Sequence, residues 1–369
     1  MRIDTVILSL TTSCNLGCAY CQNEPAFKSI CSNSITREFY RKICESMNHY
    51  LSLSEKKNIT FCYSGGEPLL VGREFFKDII EIQKEVFDEN NFVKNVIQTN
   101  GSLITQEWAE FFKENNISVS VSLDGPDYIQ NLQRPLSTGM PSLDKVVNGI
   151  NILKKNNISF GTLTVITKNS LPYAKEILHF VSSLGPNMMG YLPCVDRGPK
   201  IDADDYGKFM IDLYDAWMEM NDNTIRVREL THIVQALANV PHCVGCQFGG
   251  ECPHHINIAP DGKVSVCDQY INKEEGYLGD INTQTISEIV NGNLYKNFFN
   301  KTKTLSDKCQ NCPYLKVCNG GCAYRRTLEG RDYLCSGRYA LISHVENKLS
   351  IELNNLIKAS EKYIESQKK

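Results

Sequence analysis

The sequence predicts an α/β protein: a partial (β/α)6 TIM-like barrel with connecting helices over residues 1–239, a small cysteine-rich domain over 240–340, and a C-terminal helix and tail over 341–369. Three observations predict it. Six short β-rich runs alternate with amphipathic helical windows through the first half of the chain. The polar, glycine-rich segments fall where those runs end. Nine of the 16 cysteines crowd between Cys243 and Cys335.

The first strand is VILSL, followed by the helical pattern ITREFYRKICESMNHYL. NITFCYS then precedes REFFKDIIEIQKEVF, FVKNVIQT precedes TQEWAEFFKENN, and ISVSVSLD precedes LDKVVNGINILKKNN. SFGTLTVIT precedes LPYAKEILHFVSSLG, and NMMGYLP closes the series. Strands this apolar, each followed by a helix of period 3.6, describe a parallel sheet with helices outside, and six units suit a partial barrel. Residues 203–239 read as two helices. From Val240 the chain turns to short segments and cysteines, within which INIAPDGKVSVCD alternates around Asp261-Gly262 as a tight hairpin does. Ser336 to Lys369 has helical apolar spacing and a polar end.

Composition narrows the function. A net charge of -3 supplies no basic field, so nucleic acid is not expected as a partner, although lysines gather between Lys358 and Lys369. No stretch has the 18 or more apolar residues of a membrane span. The N-terminus, MRIDTVILSL, reads as a strand and not as a secretory signal, which places the expected protein in the cytoplasm. Reducing conditions there disfavour disulfides and leave metal binding as the reason for cysteine clusters.

Cys14, Cys18 and Cys21 are spaced C-x3-C-x2-C in a loop directly after a strand. A four-iron cluster prefers four thiolates, so three cysteines leave one iron open to a substrate group. A zinc site completed by a distant residue is the other reading. With SGGEP, QTNG and SLDGP at the next strand ends, CNLGCAYC resembles the radical S-adenosylmethionine superfamily. The resemblance implies that the open iron chelates the methionine part of S-adenosylmethionine and that an electron releases a 5′-deoxyadenosyl radical. It also implies cofactor contacts from Gly65, Gly66, Glu67 and Pro68 near the methionine amine, and from Asn100, Ser122 and Arg134 near the ribose and carboxylate. Asp124 belongs either to that group or to the Asp-Gly-Pro turn. Where relatives often carry an aromatic after the third cysteine, this chain has Gln22.

The C-terminal cysteines resemble the SPASM domain, which carries two auxiliary four-iron clusters. The C-x2-C-x5-C-x3-C run at Cys309, Cys312, Cys318 and Cys322 is close to its pattern. The resemblance implies Cys246, Cys252, Cys267 and Cys322 as ligands of one cluster and Cys309, Cys312, Cys318 and Cys335 as ligands of the other, three [4Fe-4S] clusters in all. Spacing alone leaves two zinc sites open for the same eight cysteines. Cys243, His254 and His255 have no assigned role and read as spectators, the other reading being Cys243 in exchange with Cys246 as a ligand and His254 or His255 near the cluster. Cys31, Cys44, Cys62 and Cys194 stand singly and read as buried apolar side chains. Asp268, directly after Cys267, matches the proposed catalytic base of the similar anaerobic sulfatase-maturating enzymes; its other reading is an acceptor of backbone hydrogen bonds.

Two enzymatic readings follow from the resemblance. Ser64 stands where the sulfatase-maturating enzymes usually have a glutamine, and Gln22-Asn23 replaces their aromatics. That favours a maturase that joins a side-chain carbon to sulfur or carbon in a ribosomally made peptide. The alternative is oxidation of a cysteine or serine to formylglycine. The expected partners are a peptide or protein substrate and a flavodoxin- or ferredoxin-like electron donor. With the first cluster cysteine at position 14 there is no room in front of the barrel for a leader-binding domain, so a leader would be read by the barrel, by the second region or by a separate leader-binding protein. A non-catalytic electron carrier or a zinc module is the reading of a different class, which 5′-deoxyadenosine production would exclude.

Overall fold

In a computed structural model, all residues are described other than 1–2, 22–32, 55–56, 89–90, 197, 241–244, 251, 253, 272 and 367–369. Gln22, Asn23, Cys31 and Cys243 thus lie outside the described residues. The barrel runs β1 (Thr5–Thr11), α1 (Arg37–Ser52), β2 (Asn58–Gly65), α2 (Arg73–Val86), β3 (Phe92–Thr99), α3 (Gln106–Glu114), β4 (Ser118–Ser122), α4 (Asp127–Gln133), α5 (Leu143–Lys155), β5 (Phe160–Ile166), α6 (Ala174–Ser183) and β6 (Met188–Pro193). Neighbouring strands pair in parallel from β1 to β6. The short helix α4 has no counterpart in the sequence reading; it fills the segment between SLDGP and Arg134.

Local chemistry explains these elements. In α1, Tyr40, Ile43, Cys44, Met47 and Tyr50 recur at three- and four-residue intervals and are buried, and the Thr36 hydroxyl caps the helix by accepting the Phe39 N–H. Along β1 the side chains alternate: Val6, Leu8 and Leu10 are fully buried against the helices, while Ser9 lies on the face that looks into the barrel. On β2 the buried outer residues are Ile59, Phe61 and Tyr63, and Ser64 faces inward. The inner face near the strand ends is therefore small and polar, which leaves room for a ligand there.

After β6 come α7 (Ala203–Met220) and α8 (Arg228–Leu237), then β7 (His255–Ile258), β8 (Lys263–Ser265) and β9 (Tyr277–Asp280). β7 and β8 are antiparallel around Asp261-Gly262. β7 also pairs in parallel with β1, Thr5 opposite His255 to Leu8 opposite Ile258, so one nine-stranded sheet of order β6-β5-β4-β3-β2-β1-β7-β8-β9 crosses from barrel to cysteine-rich region. The helices α9 (Ile286–Asn291), α10 (Asn293–Lys303), α11 (Asp307–Gln310) and α12 (Leu315–Cys318) follow, and α13 (Cys335–Ser366) ends the chain. α13 crosses α7 at two glycines: a Cβ on Gly207 would lie 2.7 Å from Gly337 Cα, and one on Gly337 would lie 1.8 Å from Ala203 O. That contact fixes Cys335, two residues before Gly337. Among the described residues no helix is long and apolar enough to cross a membrane.

Candidate active site

The ends of β1 to β6 surround a cavity of about 260 Å³. Its wall contains Cys14, Cys18 and Cys21 on one side, Gly65, Gly66, Asn100, Ser122 and Arg134 around the strand ends, and Asp268 from the cysteine-rich region. Strand ends gather these residues because every parallel strand presents its C-terminal loop on the same side of the sheet. Glu67 and Pro68 are buried and lie behind this wall.

The cysteine loop is pinned on several sides. Asn15 donates from Nδ2 to Ser102 Oγ (2.8 Å) and accepts on Oδ1 from Asn100 Nδ2 (2.8 Å), which ties the loop to the end of β3. Gly66 N–H donates to Thr11 O and Glu67 N–H to Ser13 O, both at 2.8 Å. A Cβ on Gly66 would lie 2.0 Å from Ser13 O. The structure thus gives that glycine a job beyond ligand approach, since only a bare backbone lets the cysteine loop press against β2. Burial pushes the Cys14 thiol up to about 11 and the Cys18 thiol up to about 12, so a metal group must displace protons when it binds here.

Glu67 is fully buried. Its Oε1 accepts from Thr99 Oγ1 (2.6 Å) and Leu69 N (3.1 Å), and its Oε2 accepts from Asn100 N (2.7 Å). The carboxylate joins the ends of β2 and β3. Burial raises it to about 7, against which these three donors pull downward. A carboxyl raised by folding holds a proton that the unfolded chain has released. Its contribution is therefore present at low pH and lost as pH rises from the ordinary 4.5 through about 7. Glu67→Ala is expected to destabilise the apoprotein by about 3 kcal/mol, because buried donors lose their acceptor. The variant should also lack this part of the pH slope. Urea unfolding between pH 5 and 8 measures both, and an unchanged midpoint would remove Glu67 from the framework.

Beside the cysteine loop, Arg134 Nε lies 3.0 Å from Asp124 Oδ2, and its guanidinium is 5.2 Å from the Tyr20 ring centre. Tyr20 donates to the same Asp124 oxygen at 2.5 Å, while Asp124 Oδ1 accepts Val165 N–H (2.9 Å). Asp124 is an internal hub that holds Arg134 and Tyr20 in place and does not itself line the cavity. Gln98 Nε2 donates to Ser122 Oγ (3.0 Å), joining β3 and β4 in the cavity wall.

Sequence reasoning missed Tyr20, Gln98 and Asp196 as cavity residues and read Cys194, also in the wall, as apolar filler. Tyr20 had a signal, an aromatic between two cluster cysteines. Cys194 and Asp196 lie just past the end of β6, where the strand-end rule applied to them as to the others. Asp196 also borders an adjoining cavity of about 650 Å³ lined by Tyr270, Lys273, Phe298 and Tyr324. Lys273 is 3.2 Å from Asp196 Oδ2, and Tyr324 donates to the same oxygen, so this cluster stands between the two spaces.

The structure brings the C-terminal cysteines together in two groups. Cys252 lies close enough to Cys246, Cys322 and Cys267 to feel their charges, and Cys267 likewise to Cys322 and Cys246. Cys309, Cys312, Cys318 and Cys335 share the wall of a third cavity of about 280 Å³. Among the described residues no three Cys, His, Asp or Glu side chains converge tightly enough to hold one metal ion, as zinc requires with thiolates at about 2.3 Å. Four thiols around one space, as at Cys309, Cys312, Cys318 and Cys335, are a donor set that a four-iron cluster can take. His255 is near both Asp268 and Cys246. Burial raises the Asp268 carboxyl, and His255 and backbone N–H groups pull it back.

Comparison with known proteins agrees with this geometry. The family model described as the radical SAM superfamily matches residues 8–181, and the SPASM model, an iron–sulfur cluster-binding domain, matches 246–313. The cysteine-type anaerobic sulfatase-maturating enzyme of Clostridium novyi (strain NT) is 30% identical over 334 residues, 87% of each chain. The serine-type anaerobic sulfatase-maturating enzyme of Klebsiella aerogenes is 29% identical over 93% of this chain and 86% of its own. Native anSMEcpe with bound AdoMet is similar at a TM-score of 0.84 and 25% identity, over 95% of this chain and 99% of that one. Streptococcus suis SuiB bound to S-adenosylmethionine shares the fold at a TM-score of 0.64 and 17% identity, over 90% of this chain and 77% of its own.

Proposed function

Since this chain belongs to the radical SAM superfamily and carries its iron–sulfur SPASM module, we propose that it oxidises a cysteine or serine side chain of a protein substrate to formylglycine. The observation that carries this reading is the shared wall of one cavity, which sets the three-cysteine loop at one side and Asp268 at another. The similarity to cysteine- and serine-type sulfatase-maturating enzymes over most of both chains supports it. The crosslinking reading has Ser64 in its favour, which lies in the cavity wall, but it has the weaker support.

S-adenosylmethionine, when bound at a cluster on Cys14, Cys18 and Cys21, supplies the radical that takes a hydrogen atom from the substrate. Gly65 and Gly66 leave space beside the loop, Asn100 and Ser122 offer hydrogen bonds from the strand ends, and Arg134 offers a fixed positive charge for a carboxylate. Tyr20 offers a ring face on the same wall, which answers the need for an adenine contact that the sequence left with Gln22. Asp268 is placed to take a proton from the substrate side chain, and its raised affinity for protons suits that task. Cys246, Cys252, Cys267 and Cys322, and Cys309, Cys312, Cys318 and Cys335, would hold the two auxiliary clusters. A flavodoxin- or ferredoxin-like protein is the expected electron donor. The adjoining cavity past Asp196 gives the flanking residues of a polypeptide a place to lie.

High-resolution mass spectrometry of peptides incubated anaerobically with reconstituted enzyme, S-adenosylmethionine and reductant tests the proposal. A sulfatase-type cysteine peptide should exchange sulfur for oxygen and lose two hydrogens. Loss of two hydrogens with sulfur retained, from a small peptide encoded beside this gene, would replace the proposal with crosslinking.

A further inference from the structure

Between the two groups of C-terminal cysteines lies a charged cluster that is almost entirely shut off from water: Arg325, Asp332 and Arg338 are 7%, 2% and 1% exposed. Arg325 donates to Asp332 from Nη2 at 3.0 Å and from Nε at 3.2 Å. Arg338 Nε lies 3.7 Å from the same carboxylate. Two guanidiniums and one carboxylate leave one buried positive charge in excess, and such a charge is costly unless something nearby is negative.

Asp332 and Arg338 also hold cysteine segments. Asp332 Oδ2 accepts the backbone N–H of Cys322 (3.1 Å), and Asp332 O accepts that of Cys335 (2.9 Å). Arg338 Nη1 donates to the carbonyl of Gln247, the residue after Cys246, at 2.8 Å. A Cβ on Gly321 would lie 2.3 Å from Asp332 Oδ2, so a glycine beside Cys322 makes room for the carboxylate. One aspartate thus holds a cysteine segment from each group of four, that of Cys322 through its carboxylate and that of Cys335 through its backbone carbonyl. Arg228 and Glu229, the next charges outward, pair with each other at 2.5 Å and leave the excess in place.

We propose that Arg325, Asp332 and Arg338 form a positioning and tuning group that raises the reduction potential of the auxiliary cluster held by Cys246, Cys252, Cys267 and Cys322. This rests on the ligand sets proposed above. A four-thiolate cluster becomes one charge more negative when one electron enters it. A fixed positive excess nearby stabilises the reduced form, more strongly in a dry interior than in water. In the working enzyme that electron would come from a substrate carbon radical, which is oxidised as the cluster is reduced.

The test is a mediator-controlled potentiometric titration, followed by electron paramagnetic resonance, of the full reconstituted chain in a Cys14→Ala background, so that only the auxiliary clusters report. Arg338→Gln should lower the potential by at least about 59 mV, a tenfold change in the reduced-to-oxidised ratio at fixed potential for one electron. Asp332→Asn should raise it, and Arg338→Lys should leave it near the parent value. Shifts of the same sign in Arg338→Gln and Asp332→Asn, or none in either, would overturn the proposal, since loosened packing has no reason to follow the sign of the charge. If Asp332→Asn does not fold, the Arg338→Gln and Arg338→Lys pair decides alone: a shift in the first only supports the group, and equal shifts reject it. The ligand reading is tested separately by iron content. A Cys267→Ala/Cys322→Ala double variant, which leaves only two thiolates, should lose about four irons per chain, and an unchanged count would sink that reading whatever the titration gave.

Discussion

Cys14→Ala is expected to end 5′-deoxyadenosine formation altogether while the protein stays folded and keeps its auxiliary clusters. The expectation rests on what the thiol does in the loop. Cys14 is half-buried, and its Sγ takes weak contacts from Leu16 N–H at 3.5 Å and from the Asn100 side chain. The loop is held mainly by Asn15, by Gly66 and Glu67 N–H against Thr11 and Ser13, and by Gly17 and Ala19 N–H against Pro135 and Gln133. Removing one sulfur therefore leaves these anchors in place and should change stability by no more than about 0.5 kcal/mol. The donor set, however, falls from three thiolates to two, too few to hold a four-iron cluster. Iron should drop from about twelve to about eight per chain. Chromatography of the cleaved cofactor, with iron analysis on the same sample, checks both. Persisting 5′-deoxyadenosine would mean that radical formation does not occur at this loop.

The barrel was legible because its code is local. Period-2 runs such as ITFCYS and period-3.6 runs such as REFFKDIIEIQKEV carry their burial pattern in neighbouring residues, and each strand pairs with the next in sequence. The joining of β7 to β1 was not legible, since it matches His255–Ile258 with Thr5–Leu8 across some 250 residues and no local pattern names a partner. The site followed the same division. That Cys14, Cys18, Cys21, Asn100, Ser122, Arg134 and Asp268 border one cavity could be anticipated, because motifs and strand ends mark them. The burial of Glu67 behind the wall could not, because it depends on Thr99 and Asn100 turning their donors toward it from a separate strand. Nor could the role of Asp332, which looks like an ordinary loop aspartate until Arg325, Arg338 and the N–H of Cys322 are seen around it.

Asp268→Asn is expected to separate radical formation from product formation. The side chain sits in the cavity wall at the start of a turn directly after Cys267, and backbone N–H groups, including that of Gln269, lower its proton affinity against the stronger effect of burial. It is thus an acceptor in a turn that also lines the cavity, and its part as a base is what the variant tests. Asparagine keeps the size and one acceptor oxygen, so the turn and the Cys267 thiolate should stay where they are. It cannot take a proton. A lost general base costs about 10²–10⁴ in rate. Product should therefore fall by that factor while 5′-deoxyadenosine continues to form, so that their ratio moves from near one to beyond a hundred. Iron content should match the parent protein. The two compounds measured in one anaerobic time course decide the matter: if product and 5′-deoxyadenosine fall together, Asp268 serves the cofactor site, and if neither falls, it only shapes the turn.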